Sequence, residues 1–310
     1  MKLHKLNLKK HFEIKNLCLC IGNFDGIHKG HQFVIKKIIK HSRDFKMKSA
    51  IMTFNPHPKI FFKKNDGAFN IITSDYKKLF LNSLGIQNYI EYSFNKTLSN
   101  LSAIEFIEKV LVKQLNVRKI IVGNDFRFGK NRSGDTKLLK SLSSKYNYKL
   151  ISISHIKNNN TNLKYSSSAI RKNIEKGQFE KVSEALGRSW QINGKVIKGM
   201  QKARLINFPT ANIRPGKQIY PKKGVYCVNV LFNGQKFKGI ANFGERPTVR
   251  GKKLLLEVHL FNFSKNIYGK NLTVEFLAFI RDEKKFENFD KLIQQIRKDT
   301  QVAKNYHLNN

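Results

Sequence analysis

The stretch CIGNFDGIHKGHQ, residues 20–32, packs three glycines, two histidines and an aspartate between an apolar run and a basic one. The run ahead of it, LCLCI at 17–21, is apolar at every position, as a strand buried on both faces would be. The run behind it, FVIKKIIK at 33–40, returns apolar residues at helical spacing. The order implied is a buried strand ending at Gly22, a tight turn across Asn23–Gly26, and a helix starting near His28. The first N–H groups of such a helix lack intrahelical partners and, with the positive end of its dipole, form a natural phosphate site. His28 and His31, three apart in the first turn, share a face from which both imidazoles can donate to phosphoryl oxygens. Gly30 between them removes a side chain where a flat base could pack. Two histidines and a glycine are poor choices for helix stability alone.

Outward from this junction, short apolar runs (SAIMTF, NYIEYSF, RKIIVG, YKLISIS) alternate with longer amphipathic segments up to about residue 185. In SAIEFIEKVLVKQL the spacing sets Ile104, Ile107, Leu111 and Leu115 on one helical face. This alternation predicts an α/β domain with a parallel sheet over residues 1–185. After EALGRSW the helical pattern gives way to GVYCVNVLFNG, QKFKGIANFG, KLLLEVHLFNF and LTVEFLAFI, separated by turns containing Gly and Asn. Residues 186–310 therefore read as an antiparallel β-barrel. It is closed by a C-terminal helix whose apolar face is Phe289, Leu292, Ile293 and Ile296.

The composition narrows the class. The 310 residues, 40% hydrophobic, can bury a sizeable core, and no run approaches the ~18 apolar residues of a membrane span. The basic start MKLHKLNLKKHFEIKN lacks the apolar centre of a signal peptide, so a cytoplasmic protein with no membrane partner is expected. Three cysteines do not suggest a disulfide framework; Cys18 and Cys20 read as buried thiols. With 59 Lys plus Arg against 21 Asp plus Glu, the net charge of +38 would attract polyanions. The positives are scattered, however, and no basic ribbon interleaved with aromatics stands out, so no dedicated nucleic-acid partner is expected. The oligomeric state is left open.

The HxGH element resembles the nucleotidyltransferase superfamily that includes class I aminoacyl-tRNA synthetases, and GNFDGIHKGH is similar to one member family, the prokaryotic bifunctional riboflavin kinase/FAD synthetases. The resemblance continues in order through TFNPHP (53–58), VGNDFRFGKNRSG (122–134), SSSAIR (166–171), FPTANI (208–213), GVY (224–226), NFGERPT (242–248) and LEVHLFNF (256–263). It implies two activities. An FMN adenylyltransferase half on a Rossmann-like sheet would join ATP and FMN into FAD and pyrophosphate, and a riboflavin kinase half would make FMN from riboflavin and ATP with Mg2+. For the first half it implies that His28 and His31 stabilise the transferring phosphoryl group, with Gly22, Asn23 and Gly30 lining the ATP phosphates. Ser166, Ser167 and Arg171 would hold the leaving oxygens, Arg171 with a planar fork that lysine lacks. Asp125 would contact nucleotide or flavin, and Asn23, Asp25, Pro56 and His57 either shape turns or touch ligand. For the second half it implies Thr210 and Asn212 as the Mg–ATP pair, Glu257 as the base for the ribityl hydroxyl, and Arg281 facing the flavin. On an alternating strand Glu257 and His259 share a polar face, so without the resemblance that glutamate would be unremarkable.

One departure from the family pattern stands out. The loop before PTAN reads GMQKARLINFPTAN, with Ala203 and Asn207 where glycines are usual, and Ser168 stands where threonine is common. Asparagine tolerates left-handed backbone; alanine there costs about 1–2 kcal/mol and would weaken Mg–ATP binding. Three alternatives remain at this level: a barrel that binds flavin without phosphorylating it, an adenylyltransferase for a nicotinate or pantetheine phosphate, and an RNA-binding protein exploiting the charge.

Overall fold

The computed structural model describes residues 1–63, 68–154, 156–157, 162–198, 208–248 and 251–309. Ala203 and Asn207 lie outside the described residues. The chain divides into two compact units, Met1–Asp66 with Ser74–Ser166, and Gly67–Thr73 with Ser167–Asn310.

The first unit is built on six strands, β1 (Lys2–Leu6), β2 (Leu17–Ile21), β3 (Lys48–Asn55), β4 (Asn88–Ser93), β5 (Val117–Gly123) and β6 (Lys149–Ile153). They form one sheet in the order β1-β4-β3-β2-β5-β6, every pair parallel. Helices α1 (Lys29–Asp44), α2 (Pro58–Lys63), α3 (Ser74–Ser83), α4 (Lys96–Ser99), α5 (Ala103–Glu105) and α6 (Thr136–Ser141) occupy the connections. The five strands expected from the apolar runs are all present. The sixth, β1, comes from the basic N-terminal stretch, where Leu6 alone is buried. At the sheet edge a strand needs little apolar surface, which is why its pattern is thin.

Strand order locates the ligand crevice. β2 is central; the chain goes from it to β3 on one side and later to β5 on the other. The connections leaving β2 and β5 therefore diverge, which opens a crevice beyond their carboxyl ends, the usual binding position in such sheets. The residue 22–26 turn and the turn after Gly123 both lie there.

One helical face departs from expectation. α5 runs into a nine-residue π-helix, Phe106–Gln114. Ile107, Leu111 and Leu115 are fully buried as expected, but Ile104 is 50% exposed. The wider π turn changes the period, so Phe106 and Val110 fill the core positions that 3.6-residue spacing assigns elsewhere.

The second unit starts with α7 (Ser167–Glu175) and α8 (Phe179–Leu186). α8 stops at Gly187, whose left-handed backbone (φ 70°) caps it where the helical pattern fades. There follow β7 (Trp190–Ile197), β8 (Ala211–Ile213), β9 (Gly224–Phe232), β10 (Gln235–Thr248), β11 (Gly251–Leu260) and β12 (Asn271–Arg281), then α9 (Phe289–Asn309). The strands close into an antiparallel barrel in the order β10-β11-β8-β7-β12-β9. Phe179, Trp190, Tyr226 and Phe276 pack together in its core, with Trp190 and Phe276 centroids 5.0 Å apart.

The helix α9 packs on β9, β10 and β12, with Leu292, Ile293 and Ile296 of the expected face half-buried and the same stripe continuing toward its C-terminal end. Phe289 is 49% exposed, and the buried residues are Asp299, Ala303 and His307. Two of these are polar and tolerate burial because each has partners: Arg281 grips Asp299, and His307 Nε2 lies 3.3 Å from Cys227 Sγ. A hydrophobicity pattern is blind to such pairing. Cys18, Cys20 and Cys227 are reduced and buried, and burial pushes all three thiols up. Among the described residues no helix is long and apolar enough to cross a membrane.

Candidate active sites

At the β2–α1 junction the Gly22 N–H still donates to the Met52 carbonyl (3.1 Å), and then the chain leaves the sheet. Phe24 (φ 48°), Gly26 (φ 84°) and Ile27 (φ 43°) turn it through left-handed backbone. A β-branched residue there is uncommon, and the burial of Phe24 and Ile27 is what holds it.

His28 is the N-cap of α1, its Nδ1 accepting from the His31 N–H at 3.3 Å. With Nδ1 turned to that N–H, Nε2 is the ring nitrogen that can donate. His31 stacks on it with centroids 3.7 Å apart and planes 17° from parallel. Burial, with His28 and Lys77 adding to it, holds His31 well below the usual imidazole range, so it is neutral. The site thus presents two stacked imidazoles as hydrogen-bonding groups. Asn23 Oδ1 and His31 Nδ1 are buried with no partner in the structure, a costly arrangement that suits a place where ligand atoms bind.

Gly30 has a tighter reason than base packing. A Cβ there would lie 3.1 Å from His28 Cε1 and Nδ1 and 3.5 Å from Tyr165 Cβ. Asp25, within the turn, is buried. Lys77 of α3, unmarked by any local motif, donates from Nζ to the Asn23 carbonyl at 2.9 Å.

Asp125 occupies the turn after β5, at the same end of the sheet. It pairs with Lys164 at 3.2 Å, and its side chain is 60% exposed. His57 shapes the start of α2, its carbonyl accepting from the Ile60 N–H (2.8 Å) and its Nδ1 from the Lys59 N–H (3.1 Å). Pro56 follows a cis peptide bond. In the second unit, Ser167 opens α7 and Arg171 follows one turn later, with Ser166 immediately before the helix. The Arg171 guanidinium lies 3.9 Å from the Phe69 ring centroid, and its Nε donates to the Phe69 carbonyl at 2.9 Å.

In the barrel, register rather than motif assembles the site. β11 lies between β8 and β10, which puts Glu257 opposite Asn212 on one side and Asn242 on the other. Thr210 immediately precedes β8. Phe208 stacks on His259 (centroids 3.9 Å), and His259 Nδ1–H donates to the Pro209 carbonyl at 2.9 Å, so the start of FPTAN is tied to β11. Burial holds His259 below the usual imidazole range, which keeps it neutral for that bond. Glu257 Oε2 accepts from Arg246 Nη2 at 2.6 Å, and Arg246 Nη1 also reaches Glu283 at 3.1 Å. Thr210 and Asn212 fit a magnesium site by chemistry: both offer hard oxygens, and Mg2+ takes one or two protein oxygens with phosphates and water filling the rest. Among the described residues no cluster of three His, Cys, Asp or Glu could serve as a protein-only metal cage.

Arg281 ends β12 and is paired with α9. Its Nε and Nη2 grip both oxygens of Asp299 at 2.7–3.0 Å, its Nη1 donates to the Asp282 carbonyl, and Gln295 completes the Asp299 shell at 2.8 Å. It fastens α9 to β12.

The family model for FAD synthetase matches residues 11–169, and that for riboflavin kinase matches residues 186–307. A bifunctional riboflavin kinase/FMN adenylyltransferase of Haemophilus influenzae is 37% identical over 94% of each chain. The chain belongs to this family. A bifunctional riboflavin kinase/FMN adenylyltransferase of Buchnera aphidicola is 38% identical over 97% of this chain and 96% of its own. A solved structure named as a macrolide-efflux protein of Streptococcus pneumoniae shares the fold, at 29% identity and TM-score 0.86, over 97% of this chain and 99% of that one. Within the riboflavin kinase/FMN adenylyltransferase framework, Lys77, Phe69, Arg246 and Glu283 are the contacts that sequence reading missed. Arg246 stood inside the quoted NFGERPT motif, and its position there was the one available signal.

Proposed function

We propose that residues 1–185 adenylylate FMN and residues 186–310 phosphorylate riboflavin, with the chemistry divided among named side chains. At the β2–α1 junction, His28 and His31 act as donors to oxygens of the ATP α-phosphate while an FMN phosphate oxygen attacks it and pyrophosphate leaves. The barrier is lowered by prepositioned donors and the α1 N-terminus, without a covalent nucleophile. Gly22, Asn23 and Gly30 shape the phosphate cradle. Ser166, Ser167 and Arg171 hold the leaving oxygens, and Asp125 contacts nucleotide or flavin.

In the barrel, Glu257 takes the proton of the ribityl 5′-hydroxyl as that oxygen attacks the ATP γ-phosphate. Thr210 and Asn212 hold magnesium, which when bound screens the phosphate charge. Arg281 acts indirectly, by holding α9. The observation that carries the kinase reading is the strand register that sets Glu257 beside Asn212.

The test is incubation of the full chain with riboflavin, ATP and Mg2+, resolving FMN and FAD over time. Wild type forms FMN and then FAD. Glu257→Gln loses about 10²–10⁴-fold in FMN formation, while supplied FMN is adenylylated at the wild-type rate. Loss of both activities, or of neither, refutes the assignment.

A further inference from the structure

Arg171 of α7 owes its setting to a stretch of chain from the first half of the sequence. Residues 68–73 fold with the second unit, although the chain on either side of them folds with the first. Asn70 forms a parallel bridge with Gln218; the Ile219 N–H donates to the Asn70 carbonyl at 2.8 Å, and the Phe69 N–H donates to the Lys217 carbonyl at 3.2 Å. Ile71 is fully buried, and its carbonyl accepts from Trp190 Nε1 at 2.7 Å and from Gln218 Nε2 at 3.2 Å. Gln218, buried as well, also donates to the Gln191 carbonyl at 2.9 Å. The main chain is thus tied down at three successive residues, Phe69, Asn70 and Ile71.

Phe69 turns this anchorage onto Arg171, 102 positions away. Its carbonyl accepts from Arg171 Nε at 2.9 Å, and its ring centroid lies 3.9 Å from the guanidinium carbon of an arginine that is only 9% exposed. A guanidinium recognises oxygens through a flat fork of donors, so what it can hold depends on the plane in which it lies. The aromatic face attracts the cation and limits its tilt, and the carbonyl at Nε limits its rotation about the Cδ–Nε bond. Without the ring, that rotation and the rotamers behind it reopen, and the fork must be ordered anew in each turnover. Resting on the reading of Arg171 as a holder of the leaving oxygens, we propose that Phe69 is a positioning residue for adenylyl transfer: it keeps the Arg171 fork in one plane before pyrophosphate develops. Because the segment is fastened through its main chain, the ring can be changed without releasing it.

The experiment measures FAD formation from supplied FMN and ATP in the full chain, together with the reverse reaction of FAD and pyrophosphate. FMN formation from riboflavin reports the folding of the unit that holds both Phe69 and Arg171. Phe69→Leu lowers kcat for FAD formation about tenfold, leaves KM for FMN unchanged, and raises KM for pyrophosphate severalfold in the reverse direction. Phe69→Tyr keeps the aromatic face and restores both values, and FMN formation stays at the wild-type rate in each variant. A merely structural role would lower the two activities together, since Trp190 and Gln218 belong to the barrel's unit. Equal losses in both activities, full FAD turnover in Phe69→Leu, or no rescue by tyrosine overturns the proposal. Arg171→Lys separates the two levels, because it keeps the charge and loses the fork. If that variant forms FAD at the wild-type rate with an unchanged KM for pyrophosphate, the Arg171 reading fails and this proposal with it. If Arg171→Lys loses FAD formation and Phe69→Leu does not, only the positioning role fails. In the double variant Phe69→Leu costs less than it does alone, and strict additivity counts against the coupling. Should Phe69→Leu show no folding transition in a thermal melt, Phe69→Met decides by the same criteria.

Discussion

Replacing His28 separates two roles that one ring performs. Its Nδ1 caps α1 through the His31 N–H, and its Nε2–H is assigned to the transferring phosphoryl group. His28→Ala removes both. Loss of an N-cap costs about 1 kcal/mol of stability, equivalent to a fall of roughly 2–4 °C in Tm for a unit of this size. Loss of a donor aimed at transition-state charge costs on the order of 10²-fold or more in turnover. His28→Asn restores the cap, because asparagine is among the best N-cap residues, but supplies no donor at the Nε2 position. The expected pattern is a lowered Tm in the alanine variant, a near wild-type Tm in the asparagine variant, and FAD formation reduced about 10²-fold in both. FMN formation from riboflavin stays at the wild-type rate throughout. Thermal melts and separate assays of the two half-reactions give the answer. Wild-type FAD formation in His28→Asn would refute the reasoning, since His28 would then contribute only the cap.

Gly30→Ala should move stability and activity in opposite directions. Alanine gains up to about 1 kcal/mol in a helix, but its Cβ, 3.1 Å from the His28 ring, displaces that ring by a few tenths of an ångström; FAD turnover falls about tenfold with Tm unchanged or raised, and a fall in Tm with full turnover contradicts this. His31 makes the first unit acid-sensitive in a definite direction. Its folded value lies well below 6.5 while the unfolded chain titrates near 6.5, so below that pH the unfolded state binds a proton that the folded state refuses. Stability is full above about pH 6.5 and falls by up to ~1.4 kcal/mol per pH unit below it. Urea midpoints of wild type and His31→Asn from pH 8 to 5 should converge on acidification; parallel curves would rule the effect out.

The β2–α1 junction was legible because it is local. A fully apolar run, a glycine-bounded turn and a helix start lie within sixteen residues, Leu17–Gln32, and a single turn of helix brings His28 against His31. The barrel was legible for a similar reason: alternation along each strand and Gly or Asn between strands are nearest-neighbour properties, and closure satisfies edges those strands would otherwise expose. What periodicity misjudged, it misjudged where another force took over. The π-helix shifted the buried face from Ile104 to Phe106 and Val110, and α9 buried Asp299 and His307 because partners were waiting in the barrel.

Side chains far apart in sequence were decided only by tertiary structure. Lys77 reaches Asn23 across 54 positions, Arg171 meets Phe69 across 102, and Arg246 meets Glu283 across 37. The strand register that sets Glu257 between Asn212 and Asn242 is likewise a property of the closed barrel. A sequence pattern encodes which face of an element is apolar, because burial selects residue type position by position. It does not encode which polar group a distant element will present to that face, because such pairs form only once packing has brought the elements together.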